Sequence, residues 1–222
     1  MNHKQLVGEK ACEYIKDGMI VGLGTGSTAY YTIMKVGEMV RQGLHIQAVP
    51  TSEATEKLAK EQNIPLIDIN QVTRIDVGID GADEFDENMQ LIKGGGGALL
   101  REKIVASLCE TYVVIADHSK KSEYLGSFAL PVEVTPFAKD VTKRQLAQLG
   151  CTCSFRMKDN ALFTTDNGNH IVDCKFHRIE TPEKLTQQIN SIPGVVENGL
   201  FVNTSTHIIC TNEKGEIEVI GI

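Results

Sequence analysis

Long apolar segments are missing from this sequence of 222 residues. No stretch approaches the roughly 18 consecutive apolar residues that a membrane-spanning helix requires. The amino terminus carries Glu9, Lys10 and Glu13 and has no apolar core of the kind found in secretion signals. The sequence therefore predicts a cytoplasmic protein with no membrane partner.

Basic residues are in the minority. The chain has 22 Lys and Arg against 29 Asp and Glu, which gives a formal net charge of -7. Proteins that bind nucleic acids concentrate basic residues on one face, because they must neutralise backbone phosphates. We therefore expect no nucleic-acid partner and favour a small-molecule ligand. A hydrophobic content of 41% allows one large domain, or a main domain with a smaller one.

Motifs for metal binding are also absent from the sequence. The closest pair of cysteines, Cys151 and Cys153, is separated by one residue, unlike a C-x-x-C motif. No histidine lies four residues from another. We therefore predict no metal ion and interpret the cysteines as reduced thiols that fill the protein interior. The six cysteines are Cys12, Cys109, Cys151, Cys153, Cys174 and Cys210.

Short apolar strands alternate with helices in the first half of the chain. The spacing predicts strands over 19–23, 46–49, 75–79 and 113–116 and helices over 6–15, 29–40 and a segment ending at 60. This alternation indicates a parallel sheet with helices on both faces. Ligands bind such sheets at the carboxyl ends of the strands, and the polar clusters of this half follow strand ends.

The pattern changes after residue 127. Predicted strands at 130–134, 151–157, 161–165, up to 176 and from 193–195 onward, with helices over 137–149 and from Thr181 to about 191, indicate a split β-α-β arrangement. Two final strands, 206–210 and 217–220, are expected to return to the first sheet. The sequence thus predicts an α/β protein with a second, smaller α+β domain inserted before its end.

A run of glycines is the most informative motif. Lys93 precedes Gly94, Gly95, Gly96 and Gly97, and Glu102 follows in the predicted next helix. Glycine costs about 1 kcal/mol relative to alanine in a regular element, so such a run indicates backbone that lies against a ligand. Backbone amides, the lysine charge and a helix amino terminus suit an anion. A carboxylate beside them suggests chemistry as well as binding.

Glu102 on its own has a plainer interpretation. A glutamate near a helix start is usually a surface residue that complements the helix dipole. The predicted buried stripe of this helix consists of Leu100, Ile104, Val105 and Leu108, and Glu102 lies off its centre.

The glycine-rich turn at residues 22–28 offers donors for a phosphate or a sugar. A dinucleotide motif G-x-G-x-x-G would need glycine where Ser27 stands, so no nucleotide cofactor is predicted. The amides around Gly26 and the hydroxyls of Thr25, Ser27 and Thr28 could hold a phosphate monoester. The alternative is a tight turn in which Ser27 or Thr28 caps the next helix. The motif alone leaves both interpretations open.

Acidic residues follow the strand predicted at 75–79. Asp80, Gly81, Ala82, Asp83 and Glu84 place three carboxylates within five residues, which suits proton transfer or the binding of sugar hydroxyls. The alternative is a solvated acidic loop. At another strand end, Lys120 could reach a phosphate, although solvated lysines are more common. Four such strand-end clusters together favour a ligand site over a purely structural explanation.

The chain closely resembles the A-type ribose-5-phosphate isomerase family over nearly its whole length. The motifs that carry the resemblance lie at residues 24–28, 80–84, 93–103, 116–120, 130–134, 165–169 and 192–195. The pair Tyr30 and Tyr31 and the pair Cys151 and Cys153 are unusual for it. The resemblance implies a Rossmann-like catalytic domain over 1–127 and 203–222 and a ferredoxin-like domain over 128–202. It also implies a homodimer or homotetramer that uses no metal or nucleotide.

The resemblance further implies interconversion of D-ribose 5-phosphate and D-ribulose 5-phosphate in the non-oxidative pentose phosphate pathway. Glu102 would be the base that moves a proton between C2 and C1 of the sugar. Lys93 and the amides of Gly94, Gly95 and Gly96 would stabilise the enediolate oxygen. The segment from Asp80 to Asp83 would bind the sugar hydroxyls, and Asp80 would assist ring opening. The phosphate would be bound by Ser27, Thr28 and Lys120.

Two other functions remain open from the sequence. An acyl-CoA transferase on a related fold would use a glutamate as a nucleophile, and a non-catalytic sugar-phosphate sensor would bind without turnover. A sensor of this kind usually carries a DNA-reading helix pair and a basic surface, and this acidic sequence has neither.

Overall fold

The computed structural model describes residues 2–221. Within this range no helix combines the length and apolar character that crossing a membrane requires. The α-helices are α1 (His3–Ala11), α2 (Ala29–Arg41), α3 (Glu53–Glu61), α4 (Leu99–Leu108), α5 (Lys139–Ala147) and α6 (Pro182–Asn190). The strands are β1 (Ile20–Leu23), β2 (Gln47–Pro50), β3 (Ile75–Gly81), β4 (Glu84–Phe85), β5 (Leu91–Ile92), β6 (Cys109–Ala116), β7 (Leu130–Val134), β8 (Thr152–Phe155), β9 (Met157–Lys158), β10 (Ala161–Leu162), β11 (His170–Lys175), β12 (Val195–Asn198), β13 (Leu200–Phe201), β14 (His207–Thr211) and β15 (Ile217–Gly221).

The described residues divide into two compact units. The first comprises those of Met1–Ala82, Arg101–Lys120 and Thr204–Ile222, and the second comprises Asp83–Leu100 and Lys121–Asn203. The boundaries differ from the predicted ones, because residues 83–100 and 121–127 lie in the second unit. The cause is a small sheet of order β13-β5-β4, whose two-residue strands are too short to show a sequence pattern.

A parallel sheet forms the centre of the first unit. Its order is β15-β14-β6-β3-β1-β2, and all neighbours are parallel except β14 and β15. The predicted α/β class and the return of the final strands to this sheet are confirmed. Apolar side chains such as Val7 of α1, Ile33 of α2 and Val77 of β3 share one buried cluster, so helices cover the sheet.

Two elements of the first unit begin earlier than predicted. Helix α1 begins at His3 and not at residue 6, because the side chain of Asn2 caps it by accepting a hydrogen bond from the Gln5 amide. Strand β6 begins at Cys109 and not at residue 113, because its first residues pair with β3.

The second unit contains the predicted split β-α-β arrangement. Its elements follow the order β7, α5, β8, β11, α6, β12, and the antiparallel sheet has the order β12-β7-β11-β8. Leu146 of α5 and Ile189 of α6 lie in one buried cluster with Val132 and Val172 of the sheet. Both helices therefore cover the same face, as in a ferredoxin-like fold.

Glu84, in β4 of the small sheet, binds the segment 122–128 that directly precedes β7. Its side chain is buried, with 1% exposure. The carboxylate accepts hydrogen bonds from the Ser122 hydroxyl at 2.7 Å and from the amides of Gly126 at 2.8 Å, Ser127 at 3.2 Å and Phe128 at 3.3 Å, and it also accepts one from the Ser127 hydroxyl. The solvated-loop interpretation is therefore wrong for Glu84, which is a structural anchor.

Replacement of this anchor provides a test of the second unit. We expect Glu84→Ala to lower the free energy of unfolding by about 3 kcal/mol or more, because each buried donor left without a partner costs about 1–3 kcal/mol. Denaturant unfolding followed by circular dichroism measures the loss. Glu87→Ala, at an exposed position three residues away, is the control and should change stability by less than about 0.5 kcal/mol. Equal losses in the two variants would contradict the anchor role.

Candidate active site

Asp80 lies near the carboxyl end of β3, where its side chain is 1% exposed. One carboxylate oxygen, Oδ1, accepts hydrogen bonds from the backbone amides of Thr25 at 3.0 Å and Gly81 at 2.7 Å. The other, Oδ2, accepts one from the Tyr112 hydroxyl at 3.4 Å. Because a buried carboxylate needs such donors, these contacts fix its orientation. The solvated-loop interpretation is wrong for Asp80 as well.

The turn after β1 approaches Asp80 very closely. A Cβ atom at Gly24 would lie 2.5 Å from the Cα atom of Asp80, a distance that no side chain tolerates. The Gly24 amide donates to the Ile79 carbonyl at 2.9 Å, so the turn follows β3 at this point. Glycine at residue 24 is therefore required for the contact between the turn and the carboxylate.

The Tyr112 side chain lies near both Asp80 and Glu102. Burial raises the pKa of the Tyr112 hydroxyl well above its usual value, and the negative charges of Asp80 and Glu102 raise it further. Tyr112 therefore stays protonated at neutral pH and can donate to a carboxylate. Both acids lie within electrostatic range of this one phenol, inside the first unit. Tyr112 could not be singled out from the sequence, because a tyrosine within a strand carries no local functional signal.

Glu102 is buried, in contrast to the surface position considered above. It lies in the first turn of α4 with 5% exposure. It shares the inward face of the helix with Leu99, Val105 and Ala106, which are buried at helical spacing. Ile104, which was expected on the buried stripe, is 46% exposed. The buried face is therefore rotated from the predicted one, and it includes the carboxylate.

The Thr25 hydroxyl joins the turn to the end of β2. Its Oγ1 atom lies 2.7 Å from the hydroxyl of Thr51, 2.8 Å from that of Ser52 and 3.2 Å from that of Thr55. Ser52 also caps α3 by accepting from the Thr55 amide at 3.1 Å. This hydroxyl cluster holds the turn in place, so the Thr25 side chain has a clear structural role.

Ser27 contacts Lys4, a residue that the sequence motifs do not include. Its hydroxyl accepts a hydrogen bond from the Lys4 ammonium at 2.9 Å. Burial alone would raise the pKa of Asp117, but hydrogen bonds from Ser119 and the charges of Lys120 and Lys4 outweigh it and hold that pKa below its usual value. Lys4 and Lys120 therefore both lie near Asp117. Lys4 could not be singled out from the sequence, because it is a single lysine far from any motif.

The helix-capping alternative for this turn fails at Thr28. Helix α2 begins at Ala29, and Thr28 occupies its cap position without a hydrogen bond from its side chain. Gly26 has a φ of +105°, a left-handed conformation that favours glycine. Capping of α2 therefore does not explain the hydroxyl group of Thr28.

Lys93 belongs to the second unit and is 1% exposed. Its ammonium lies 5.4 Å from the centroid of the Phe201 ring, within range of a cation–π interaction. Its amide donates to the Gly199 carbonyl at 2.9 Å, which fixes the backbone at the end of β5. In the same unit, the Gly95 amide donates to Asp83 Oδ2 at 2.6 Å. Asp83 therefore holds the glycine loop.

Arg156 fixes the opposite side of this loop. Its Nη1 atom donates to the carbonyls of Gly94 at 2.7 Å and Gly95 at 3.0 Å. The guanidinium also forms a two-point ion pair with Asp173. Since a trans peptide directs its N–H away from its C=O, the Gly96 amide points away from Arg156. Arg156 could not be singled out from the sequence, because it lies 61 residues from Gly95 along the chain.

The predicted site residues are thus divided between the two units. Within the first unit the structure brings Asp80 and Glu102 near Tyr112, and Ser27 near Lys4. Within the second it brings Asp83 and Arg156 to the glycine loop. The predicted site residues of the first unit are Thr25, Gly26, Ser27, Thr28, Asp80, Gly81, Ala82, Glu102 and Lys120, and those of the second are Asp83, Lys93, Gly94, Gly95 and Gly96.

The chain matches known proteins over most of its length. The family model of ribose 5-phosphate isomerase A (phosphoriboisomerase A) matches residues 47–215. Ribose-5-phosphate isomerase A of Bacillus mycoides (strain KBAB4) is 51% identical over 216 residues, covering 97% of this chain and 98% of the relative.

Two solved structures have the same fold. Ribose 5-phosphate isomerase from Plasmodium falciparum superposes with a TM-score of 0.96 at 35% identity, covering 99% of this chain and 98% of that one. A D-ribose-5-phosphate isomerase in complex with phospho-erythronic acid gives a TM-score of 0.96 at 38% identity and covers 100% of both chains. The chain therefore belongs to the ribose 5-phosphate isomerase A family.

Proposed function

We propose that this protein interconverts D-ribose 5-phosphate and D-ribulose 5-phosphate through an enediolate intermediate, with Glu102 as the base. The observation that carries the proposal is the burial of the Glu102 carboxylate in the first turn of α4, nine residues after Lys93. Membership of the family supports the reaction. The solved relative with bound phospho-erythronic acid, a phosphorylated sugar acid, supports a sugar-phosphate ligand.

Glu102 removes the proton from C2 of the open-chain aldose. The electron pair of the C–H bond moves into the C1–C2 bond, and negative charge develops on the oxygen at C1. Return of the proton to C1, with transfer of the O2 proton to O1, gives the ketose. A carboxylate that is shielded from water interacts more strongly with nearby charges and dipoles, which favours a base with 5% exposure. A positioned base contributes about 100- to 10,000-fold to the rate.

Lys93 and the glycine loop stabilise the developing enediolate charge. A donor that is already oriented toward such an oxygen is worth about 3–4 kcal/mol. The Gly95 amide is bonded to Asp83, and Arg156 holds the carbonyls of Gly94 and Gly95. These contacts leave the Gly96 amide directed away from the guanidinium, and we assign it to the substrate oxygen together with the Lys93 ammonium. Gly94 and Gly95 then orient the loop, and Arg156 acts as a positioning residue.

The acids after β3 bind the sugar. Asp80 has a carboxylate fixed by two amides and a phenol, so it can accept a hydrogen bond from a sugar hydroxyl in one defined direction. We assign to it the proton transfer that opens the furanose ring. Asp83 binds a second hydroxyl through the carboxylate that also holds Gly95. Gly81 and Ala82 connect the two acids and contribute their backbone to the same sugar.

The phosphate group binds the polar residues around Ser27. Lys4 and Lys120 supply positive charge near Asp117, and Lys4 already donates to the Ser27 hydroxyl. The hydroxyl of Thr28 and the amides around Gly26 add donors at the start of α2, where the helix dipole favours an anion. Lys4 extends the set that the sequence predicts.

Family membership favours the isomerase over the two alternatives. A transferase that uses Glu102 as a nucleophile would form a covalent acyl adduct with an acyl-CoA, and a sensor would bind ribose 5-phosphate without exchanging its C2 proton with deuterated water. We expect no adduct by mass spectrometry and clear exchange by NMR. We also propose that the protein is a homodimer or homotetramer, as the family resemblance implies, and that it is located in the cytoplasm. Light scattering tests the assembly.

Glu102→Gln tests the assignment of the base. The substitution keeps the size of the side chain and removes its basicity, so kcat should fall by about 100- to 10,000-fold while KM changes little. Spectrophotometric detection of ketose formation measures both constants. Glu110→Gln, at an exposed position of β6, is the control and should retain wild-type rates. Near wild-type turnover by Glu102→Gln would refute the assignment.

Lys120→Ala and Lys4→Ala test the phosphate site. Phosphate contacts stabilise substrate and transition state equally, so each variant should raise KM with little change in kcat. A hydrogen bond to a charged group is worth about 1.5–3 kcal/mol, which corresponds to about a 10- to 100-fold rise. Inhibition by inorganic phosphate should weaken in parallel, and exposed Lys16→Ala should match the wild type. An unchanged KM would remove the lysine from this site.

A further inference from the structure

Three cysteines meet in the second unit: Cys151 and Cys153, which are separated by one residue, and Cys174, which lies 21 residues after Cys153. The Sγ atoms of Cys151 and Cys153 lie 3.5 Å apart, and those of Cys153 and Cys174 lie 3.6 Å apart. All three sulfurs lie within 4.8 Å of one another. Strand pairing explains the cluster, because Cys153 of β8 lies directly opposite Cys174 of β11. Cys151 is two residues from Cys153, so its side chain points to the same face of the sheet.

These distances match those around a metal ion. Four ligands at a Zn–S distance of about 2.3 Å place neighbouring sulfurs about 3.8 Å apart in a tetrahedron. The separations of 3.5 Å and 3.6 Å are within a few tenths of an ångström of that value. A disulfide needs sulfurs about 2.05 Å apart and joins only two of them. Three thiolates are the ligand set that zinc and other soft ions prefer.

The three thiols lie at the edge of the antiparallel sheet and next to a positive charge. Cys174 is buried, whereas Cys151 and Cys153 are half-buried and lie next to or in β8, the edge strand of that sheet. A divalent ion with three thiolates keeps one excess negative charge. The positive charge of Lys143 on α5 acts on Cys153 and offsets that excess.

We propose that Cys151, Cys153 and Cys174 form a three-thiolate binding site for Zn²⁺, with water as the fourth ligand. Binding forms three Zn–S bonds and releases one proton from each thiol to solvent. The site is separate from the residues assigned to isomerisation and does not depend on that assignment. The proposal revises the expectation of no metal. That expectation was based on cysteine spacing along the chain, which does not reveal that Cys174, 21 residues from Cys153, lies next to it in the fold.

Zinc titration of the reduced, untagged full-length protein tests the site. A chromophoric chelator competes for Zn²⁺, and we expect one ion per chain together with proton release in weakly buffered solution. Since loss of a supporting contact alone weakens metal binding by about 10- to 100-fold, the double variant C151S/C153S should weaken it by more than about 100-fold. C109S, which alters a half-buried cysteine of the first unit, should bind like the wild type.

Two further measurements keep the outcome clear if a variant is destabilised. Zinc should raise the Tm of the wild type and of C109S but not that of C151S/C153S, whose folding is checked by circular dichroism. Co²⁺ should give thiolate charge-transfer absorption in the wild type and lose it in C174A. The proposal is overturned if the reduced wild type binds no zinc, if C151S/C153S binds it equally well, or if Co²⁺ shows no sulfur ligation.

Discussion

A buried carboxylate held by backbone amides determines much of the first unit. Asp80 is 1% exposed, and a charge in that position is tolerated only when donors surround it. The donors come from the turn after β1, from the Gly81 amide and from Tyr112 of β6. Strands β1, β3 and β6 must therefore be neighbours, and the turn must have no side chain at residue 24.

The same constraint extends outward from Asp80. The amide of Thr25 faces the carboxylate, and its hydroxyl enters the cluster with Thr51, Ser52 and Thr55. The start of α3 is capped by a member of that cluster. The position of one charge thus organises two strand ends and the helices that follow them.

Structural features that depend on the local sequence pattern could be predicted from the sequence. Strand β7 has the predicted bounds, and the alternation of strands and helices correctly indicated a parallel sheet. The order of elements after residue 127 indicated the split β-α-β arrangement of the second unit. These features depend on periodicity and turn residues, which the sequence shows within a few positions. The motif of β7 has a structural use as well, because Glu133 accepts hydrogen bonds from Thr165, Asn167 and Asn169 in a distant turn.

Features that depend on contacts between distant segments could not be predicted. The burial of Glu102 follows from the rotation of α4, and Glu84 is an anchor only because residues 122–128 fold around it. Lys4, Arg156 and Cys174 each have a role only through contact with a residue at least 21 positions away along the chain. Isolated polar residues gave no signal, and the two-residue strands of the small sheet were too short to give one.

The two units alternate along the chain, and this limits how segments of the protein can be exchanged with those of a relative. The chain passes from one unit to the other after residues 82, 100, 120 and 203. A single splice with a relative would therefore cut across both folds, and exchanging either unit intact requires four junctions at once. Three of those junctions adjoin Asp83, Glu102 or Lys120, within two residues of each. Chimeras that exchange the second unit must therefore also rebuild the segments around these three residues.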